Sequence, residues 1–487
     1  MSDTARTPLR SGDHAIVVLP ALVTFAIALW KIDGPSYWRD ESVSVVLGHG
    51  PLGQLRDFLN NTDAVHGLYY LFLHVVTLFG TSETVTRLPS AVGAALAAGG
   101  IAVLGRRWHS PAAGLYAGLA YALLPIVSRY AQEARQYTLV SAGAVLVTYL
   151  LVRALERPRI SWFAWYGAAV ALLGWLHLYS LFLLTAHAVT VLIIVWQRRP
   201  TGRGLLLGWA LAVLGAMTAV VPLVLIAHGQ EAQVSWLRRP GPSSVLDFGT
   251  LTAGGRSALA LVTVLAVAGI AGLVRAGRSG ASVAVPWLVM PFAVSLAVSQ
   301  VHPVYHPRYV LYCVCALALL AGAGLATLTE VLPDRLRPAR LVAAVAVLTG
   351  LAVLVLPAQS ELRKPGSRPD DLRSFAGVLR QQAQPGDAVL YVPVYREDFV
   401  TVYADAFRAL DGQAFQDHGT DLPPARFHAA LSAHQRIWVV ENPPPHRSYR
   451  TPAPLANLAA LRTDRRFVRT ERWKFGSVRL TLFTQKT

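Results

Sequence analysis

Tyr37-Trp38-Arg39-Asp40-Glu41-Ser42 follows closely on an apolar run from Ala15 to Ile32, and this junction decides what sort of chain it is. A run of that length spans a bilayer core. A carboxylate pair where the run leaves the membrane is costly and persists when it does chemistry or binds ions. The run has no small-residue cleavage site before the acidic pair, so it reads as a retained helix and not as a signal peptide.

The rest of the chain has the same character. Of 487 residues, 54% are hydrophobic and 15% charged, too few charges to cover a soluble protein of this size. Repeated apolar runs of about 17–25 residues, ended by Arg, Gly or Pro, read as transmembrane helices. The net charge of +17 invites a nucleic-acid reading, but its distribution excludes one. Arginines cluster at every second helix end: Arg6/Arg10, Arg106/Arg107, Arg153/Arg157/Arg159, Arg198/Arg199/Arg203, Arg275/Arg278 and Arg335/Arg337/Arg340. The acids Asp40, Glu41, Asp57, Asp63, Glu83, Glu133, Glu231 and Asp247 fall in the alternate loops. That alternation is the positive-inside pattern, with the amino terminus in the cytoplasm and the carboxylates outside. Cys313 and Cys315, two apart on a helix, point in different directions, so neither a disulfide nor a metal site is expected from them.

The arginine clusters thread the spans. We expect helices over about 15–33, 85–105, 111–127, 138–154, 160–178, 180–196, 204–226, 256–274, 281–299, 310–329 and 341–357. Residues 34–84 form an external loop in which His66 to Gly80 reads as an interfacial helix with Tyr69 and Tyr70 at headgroup level. A second long external loop, about 227–255, carries Gln230, Glu231, Trp236, Arg238 and Arg239, and Trp236 there reads as part of an interfacial belt. The in-span histidines His177 and His187 read as core or cavity residues. The fold class is an α-helical multi-pass membrane protein of about eleven spans with a C-terminal soluble α/β domain. Residues 1–357 form the membrane domain and 358–487 the external domain. The latter opens with an amphipathic helix at 370–383, has strands at Ala388 to Pro393 and Arg436 to Val440, and ends in a hairpin over 466–485. It holds no glycine-rich nucleotide fingerprint, and we expect it to act as a lid that contributes to acceptor choice.

Four external groups converge on one face of the membrane: Asp40/Glu41, Asp63 with His66, Glu133 with Arg135, and His302/His306/Arg308. A carboxylate there can act as general base toward a hydroxyl, and cations opposite it can bind a lipid phosphate. Asp63 and His66, three apart, share a helix face and can hold a hard divalent cation, Mg or Mn, or position the base.

In this light the motifs become specific. Tyr37-Trp38-Arg39-Asp40-Glu41-Ser42 resembles the W-x-D-E signature in the first external loop of C-type (GT-C) glycosyltransferases. It is most similar to the bacterial branch related to protein O-mannosyltransferases and lipid A aminoarabinose transferases. The stretches Asp63-Ala64-Val65-His66-Gly67-Leu68-Tyr69-Tyr70, Phe79-Gly80, Arg87-Leu88-Pro89-Ser90 and Gln132-Glu133-Ala134-Arg135-Gln136-Tyr137 resemble the same family, and His306-Pro307-Arg308-Tyr309 resembles its late "RY" loop. Many relatives read His-Pro-Pro where this chain has His66-Gly67.

The resemblance implies a multi-pass enzyme of the bacterial cell membrane that takes a sugar from a polyprenyl phosphate donor outside the cytoplasm. The acceptor would be a lipid, glycan or protein hydroxyl, and no nucleic acid is a partner. It implies catalysis by Asp40, the base, with Glu41 tuning its pKa, orienting it or binding metal. Donor binding is expected from Arg135, Arg308, His66, Tyr69, Tyr137, His306 and Tyr309. Mannose is the first choice of sugar and arabinofuranose the second. A transporter or flippase would want acids and helix breaks near the midplane, whereas these carboxylates lie at one surface. A non-catalytic scaffold that uses the terminal domain for partners is the remaining alternative.

Overall fold

The computed structural model describes residues 11–198, 202–230, 236–392, 397, 400–417, 420–441 and 452–486. Arg6, Arg10, Arg199 and Glu231 lie outside them. The chain divides into two compact units. A helical unit holds the described residues through Ile32 with Arg56–Leu71 and Arg87–Leu362; an α/β unit holds Asp33–Leu55, Phe72–Thr86 and Arg363–Thr487.

In the helical unit, eight helices among the described residues are long and apolar enough to cross a membrane, and a bent pair makes a ninth span. The expected eleven is reached only when the shorter apolar helices His14–Leu29 and Ile160–Leu176 are counted too. The bent pair, Pro111–Leu123 and Pro125–Ala131, turns by 66° where a single helix over 111–127 was expected. The cause is Pro125. It pushes Leu124 out of the helical region (φ −66°, ψ 121°), although the apolar pattern runs on unbroken.

Small residues set the packing. A Cβ on Gly324 would lie 1.8 Å from the Leu265 carbonyl oxygen, and one on Gly269 would lie 2.0 Å from that of Leu320. Helices Arg256–Arg275 and Cys313–Glu330 therefore meet backbone to backbone. Close contact of this kind drives helix association in lipid, where burial in water's sense is absent. Leu211, Leu214, Leu225, Val264 and Val267 stay exposed, as lipid-facing side chains must. The in-span His187 is satisfied by Thr148 at 3.1 Å and Tyr166 at 3.0 Å.

The α/β unit carries strands β1 (Asp387–Val392), β2 (Leu410–Asp411), β3 (Gln416–Asp417), β4 (Thr420–Asp421), β5 (Arg436–Glu441), β6 (Phe467–Phe475) and β7 (Val478–Gln485). Its five-stranded sheet has the order β2-β1-β5-β7-β6. β1 runs parallel to β2 and β5, while β7 runs antiparallel to β5 and β6. Helix Leu372–Gln382 buries one face through Leu372, Phe375, Ala376 and Leu379. The hairpin β6–β7 turns at Gly476, whose φ of 68° is left-handed.

A single cut near residue 358 does not separate the units. Residues 33–55 and 72–86 belong with the C-terminal residues, and hydrogen bonds explain why. Ser36 N–H donates to the Pro365 carbonyl at 3.2 Å, and Leu372 N–H to that of Tyr37 at 3.3 Å. Arg373 Nη2 donates to the Asp33 carbonyl and to Glu83 Oε1, each at 2.6 Å. Composition marks where apolar runs stop; it carries no record of which loop the soluble part grips.

Candidate active site

Helix Arg39–His49, in the α/β unit, begins directly after Trp38, so Asp40 and Glu41 occupy its first turn. Negative charge is favoured there by the exposed N–H groups and the helix dipole. Asp40 is half-buried and Glu41 fully buried. Ser44 Oγ donates to the Asp40 carbonyl at 2.8 Å and fixes the turn. The segment before it is anchored by the Tyr37 hydroxyl, which donates to the Thr81 carbonyl at 3.0 Å and bonds Thr86 Oγ1 at 2.5 Å.

In the helical unit, the polar loop Gln132, Glu133, Ala134, Arg135, Gln136 is buried throughout. Burial of so polar a segment requires partners, and the chain supplies them. Ser90 Oγ lies 2.7 Å from the Glu133 carbonyl and 2.9 Å from that of Arg135, and Gln132 Nε2 donates to Ala28 and Trp30 carbonyls at 2.8 Å. Arg87, also buried, donates to the Ile32 carbonyl at 2.8 Å. Glu133 forms an ion pair with Arg129 at 3.7 Å.

Arg135 turns toward the Asp63 turn. Its Nη1 donates to the Tyr70 hydroxyl at 3.2 Å, Tyr70 donates to Asp63 Oδ2, and His66 Nδ1 lies 2.6 Å from Asp63 Oδ1. Asp63 adopts φ 60° and ψ 28°, a left-handed conformation that Asp tolerates better than most residues. Burial works against ionising Asp63, but the His66 charge and hydrogen bond, the Arg135 charge and the Tyr70 hydrogen bond outweigh it. They hold the carboxyl well below the usual range. Both its oxygens are thus engaged, and among the described residues no group of three His, Cys, Asp or Glu assembles that could hold a metal ion. Asp63 and His66 come together as a hydrogen-bonded pair.

Arg308 is buried among rings. Its Cζ lies 5.6 Å from the Tyr137 centroid, 5.5 Å from Trp236 and 5.4 Å from Tyr309. These ring faces favour a desolvated cation. His306 caps the short helix Pro307–Val310, its side chain accepting from Arg308 N–H at 3.4 Å. Tyr309 stacks on Tyr179 at 5.0 Å and approaches His177 at 5.3 Å. The buried His177 ring also meets Tyr137 at 5.8 Å and Tyr179 at 5.9 Å.

The structure therefore brings Asp63, His66, Arg135, Tyr137, His306, Arg308 and Tyr309 into one helical unit. Tyr69 and Tyr70 are fully buried in the protein, and the hydroxyl of Tyr70 serves Asp63 and Arg135. His302 is exposed, and Trp236, read as an interfacial belt residue, lies against Arg308 and His306. The sequence reading quoted Tyr70, Arg87 and Ser90 only within family-like stretches, took His177 as a core or cavity residue, and gave Tyr179 no role. The polar residues Arg87 and Ser90 inside an apolar helix were the available signal for two of them.

Residues 67–226 match the family model described as dolichyl-phosphate-mannose-protein mannosyltransferase. ArnT from Cupriavidus metallidurans in the apo state is similar with a TM-score of 0.61 and 16% identity, covering 97% of this chain and 98% of that one. The same enzyme bound to undecaprenyl phosphate gives 0.59 and 16%, covering 96% and 97%. The Archaeoglobus fulgidus oligosaccharyltransferase in the apo form gives 0.52 and 11%, covering 88% of this chain and 69% of that one. No curated protein sequence matches. The chain is a multi-pass membrane protein with the C-type glycosyltransferase fold.

Proposed function

We propose that this chain is an inverting glycosyltransferase that moves a sugar, mannose first, from a polyprenyl phosphate to a hydroxyl outside the cytoplasm of a bacterial cell. The observation that carries the reading is the pair of buried arginines, Arg135 and Arg308, ringed by tyrosines in a unit that contains the family-like segment. Undecaprenyl phosphate bound to ArnT, a protein of the same fold, supports a polyprenyl phosphate as donor carrier.

In this reading Asp40 takes the proton of the acceptor hydroxyl as its oxygen attacks the anomeric carbon. The bond from that carbon to the phosphate oxygen breaks, and the carrier leaves as a monophosphate. The phosphate goes from one negative charge toward two, so cations at Arg135 and Arg308 stabilise the transition state more than the ground state. Glu41, buried beside Asp40 in sequence, supports the base. Purified enzyme supplied in turn with polyprenyl phosphate mannose and arabinofuranose tests the reading by mass spectrometry of the product. Mannosyl product is the expected result; arabinosyl product selects the second sugar; absence of transfer from either donor removes the reading.

A further inference from the structure

The α/β unit joins Asp40's neighbour to the C-terminal residues through one buried carboxylate. Asp370 is fully buried. Its Oδ2 accepts the backbone N–H of Arg39 at 3.3 Å and lies 3.9 Å from the Arg39 guanidinium. Its Oδ1 accepts from Ser477 N–H at 3.0 Å and from Ser477 Oγ at 2.5 Å. Ser477 sits in the tight turn of the terminal hairpin, beside Gly476, where a Cβ would lie 1.9 Å from the Pro369 carbonyl oxygen. Both Asp370 oxygens are therefore committed, one to the hairpin and one to the residue before Asp40.

A second clamp holds the same segment. Arg373 N–H donates to Ser36 Oγ at 2.8 Å, and Tyr403 donates to Glu83 Oε1 at 2.5 Å while its hydroxyl accepts from Tyr37 N–H at 3.4 Å. Residues 36, 37 and 39 are thus tied to the C-terminal residues along the backbone that leads into the first turn of the Asp40 helix. An acceptor-selecting lid, the expectation from sequence, needs no such bonds.

We infer that Asp370 is a positioning residue for the reaction: through Arg39 it fixes the height and direction of the Asp40 carboxylate, and the C-terminal domain is part of the machinery of proton transfer. The inference rests on the assignment of Asp40 as base. A displacement of the base by about 1 Å costs on the order of 10²-fold in rate, whereas donor binding by arginines elsewhere is untouched.

The test uses full-length enzyme in envelope vesicles of the source cell, with whichever polyprenyl phosphate sugar, mannose or arabinofuranose, the wild type turns over. Asp370→Ala is expected to lower kcat by about 10²-fold with donor KM unchanged. Added to Asp40→Asn it should cause no further loss, since a residue acting through another is non-additive with it. Leu431→Ala, in the apolar core of the same domain, should keep wild-type kcat per folded molecule. Should Asp370→Ala fail to fold, Ser477→Ala loosens the same carboxylate and must show the same non-additive loss. Wild-type kcat in folded Asp370→Ala beside a dead Asp40→Asn overturns the inference alone, as does an additive loss in the double variant. Full turnover by Asp40→Asn overturns the base assignment and the inference with it.

Discussion

The Tyr70 hydroxyl accepts a hydrogen bond from Arg135 at 3.2 Å, although the residues stand 65 positions apart. Because Tyr70 gives its own proton to Asp63, the bond makes a directed chain from guanidinium to carboxylate. A charged chain of this kind fixes the orientation of Arg135 before any phosphate arrives. Several expectations depend on it.

Asp63 should govern acid sensitivity. A carboxyl whose folded pKa is depressed contributes stability that is complete above its unfolded value of about 3.9 and is lost as pH falls through the folded value. Melting temperatures of wild type and Asp63→Asn should therefore differ at neutral pH, and the gap should narrow below about pH 4. No gap at neutral pH would contradict the arrangement.

Arg308→Ala and Arg135→Ala should weaken polyprenyl phosphate binding while leaving the fold intact. A hydrogen bond between charged partners is worth about 1.5–3 kcal/mol, which corresponds to about 10–100-fold in Kd for each. Lysine should restore Arg308 poorly, since a guanidinium lies flat against rings and offers paired donors. Equal binding by both alanine variants and wild type would put the phosphate elsewhere.

Asp40→Asn keeps shape and polarity but loses the basic carboxylate. Turnover should fall by about 10²–10⁴-fold with donor affinity nearly unchanged, measured by single turnover on donor-loaded enzyme. Glu41→Gln should lose less. A folded Asp40→Asn enzyme working at a normal rate removes the base from this position.

Reporter fusions after Ala276 and after Ser360 should read cytoplasmic and external respectively, as the alternating arginine clusters require. A cytoplasmic signal after Ser360 would mean an even number of spans before it.

Much of this architecture was legible because lipid imposes long apolar runs and arginines mark their ends. The expected 256–274 and 281–299 correspond to Arg256–Arg275 and Gly280–Val298. The bend at Pro125 was hidden because Leu123, Leu124, Ile126 and Val127 continue the apolar pattern on both sides. Motifs named Asp63, His66, Arg135 and Arg308, but not the partners that orient them. Tyr70 looked like an interfacial aromatic, and His177 like one more in-span residue, since hydrogen-bond direction and ring contact leave no periodic trace. The grip of Asp370 on Arg39 was illegible for the same reason: a buried aspartate between Pro369 and Asp371 resembles any turn.

That grip also sets a schedule. Arg39 and Asp370 are 331 positions apart. At roughly 5–20 residues per second, synthesis of the intervening chain takes roughly 15–70 s. Throughout that interval the Asp-Glu segment has left the ribosome without the carboxylate that holds it. The hairpin that supplies Ser477 follows Asp370 by another 107 positions. A chain lacking that turn would lack both Ser477 bonds to Asp370, and with them one of the two sets of contacts that define where the Arg39 partner sits.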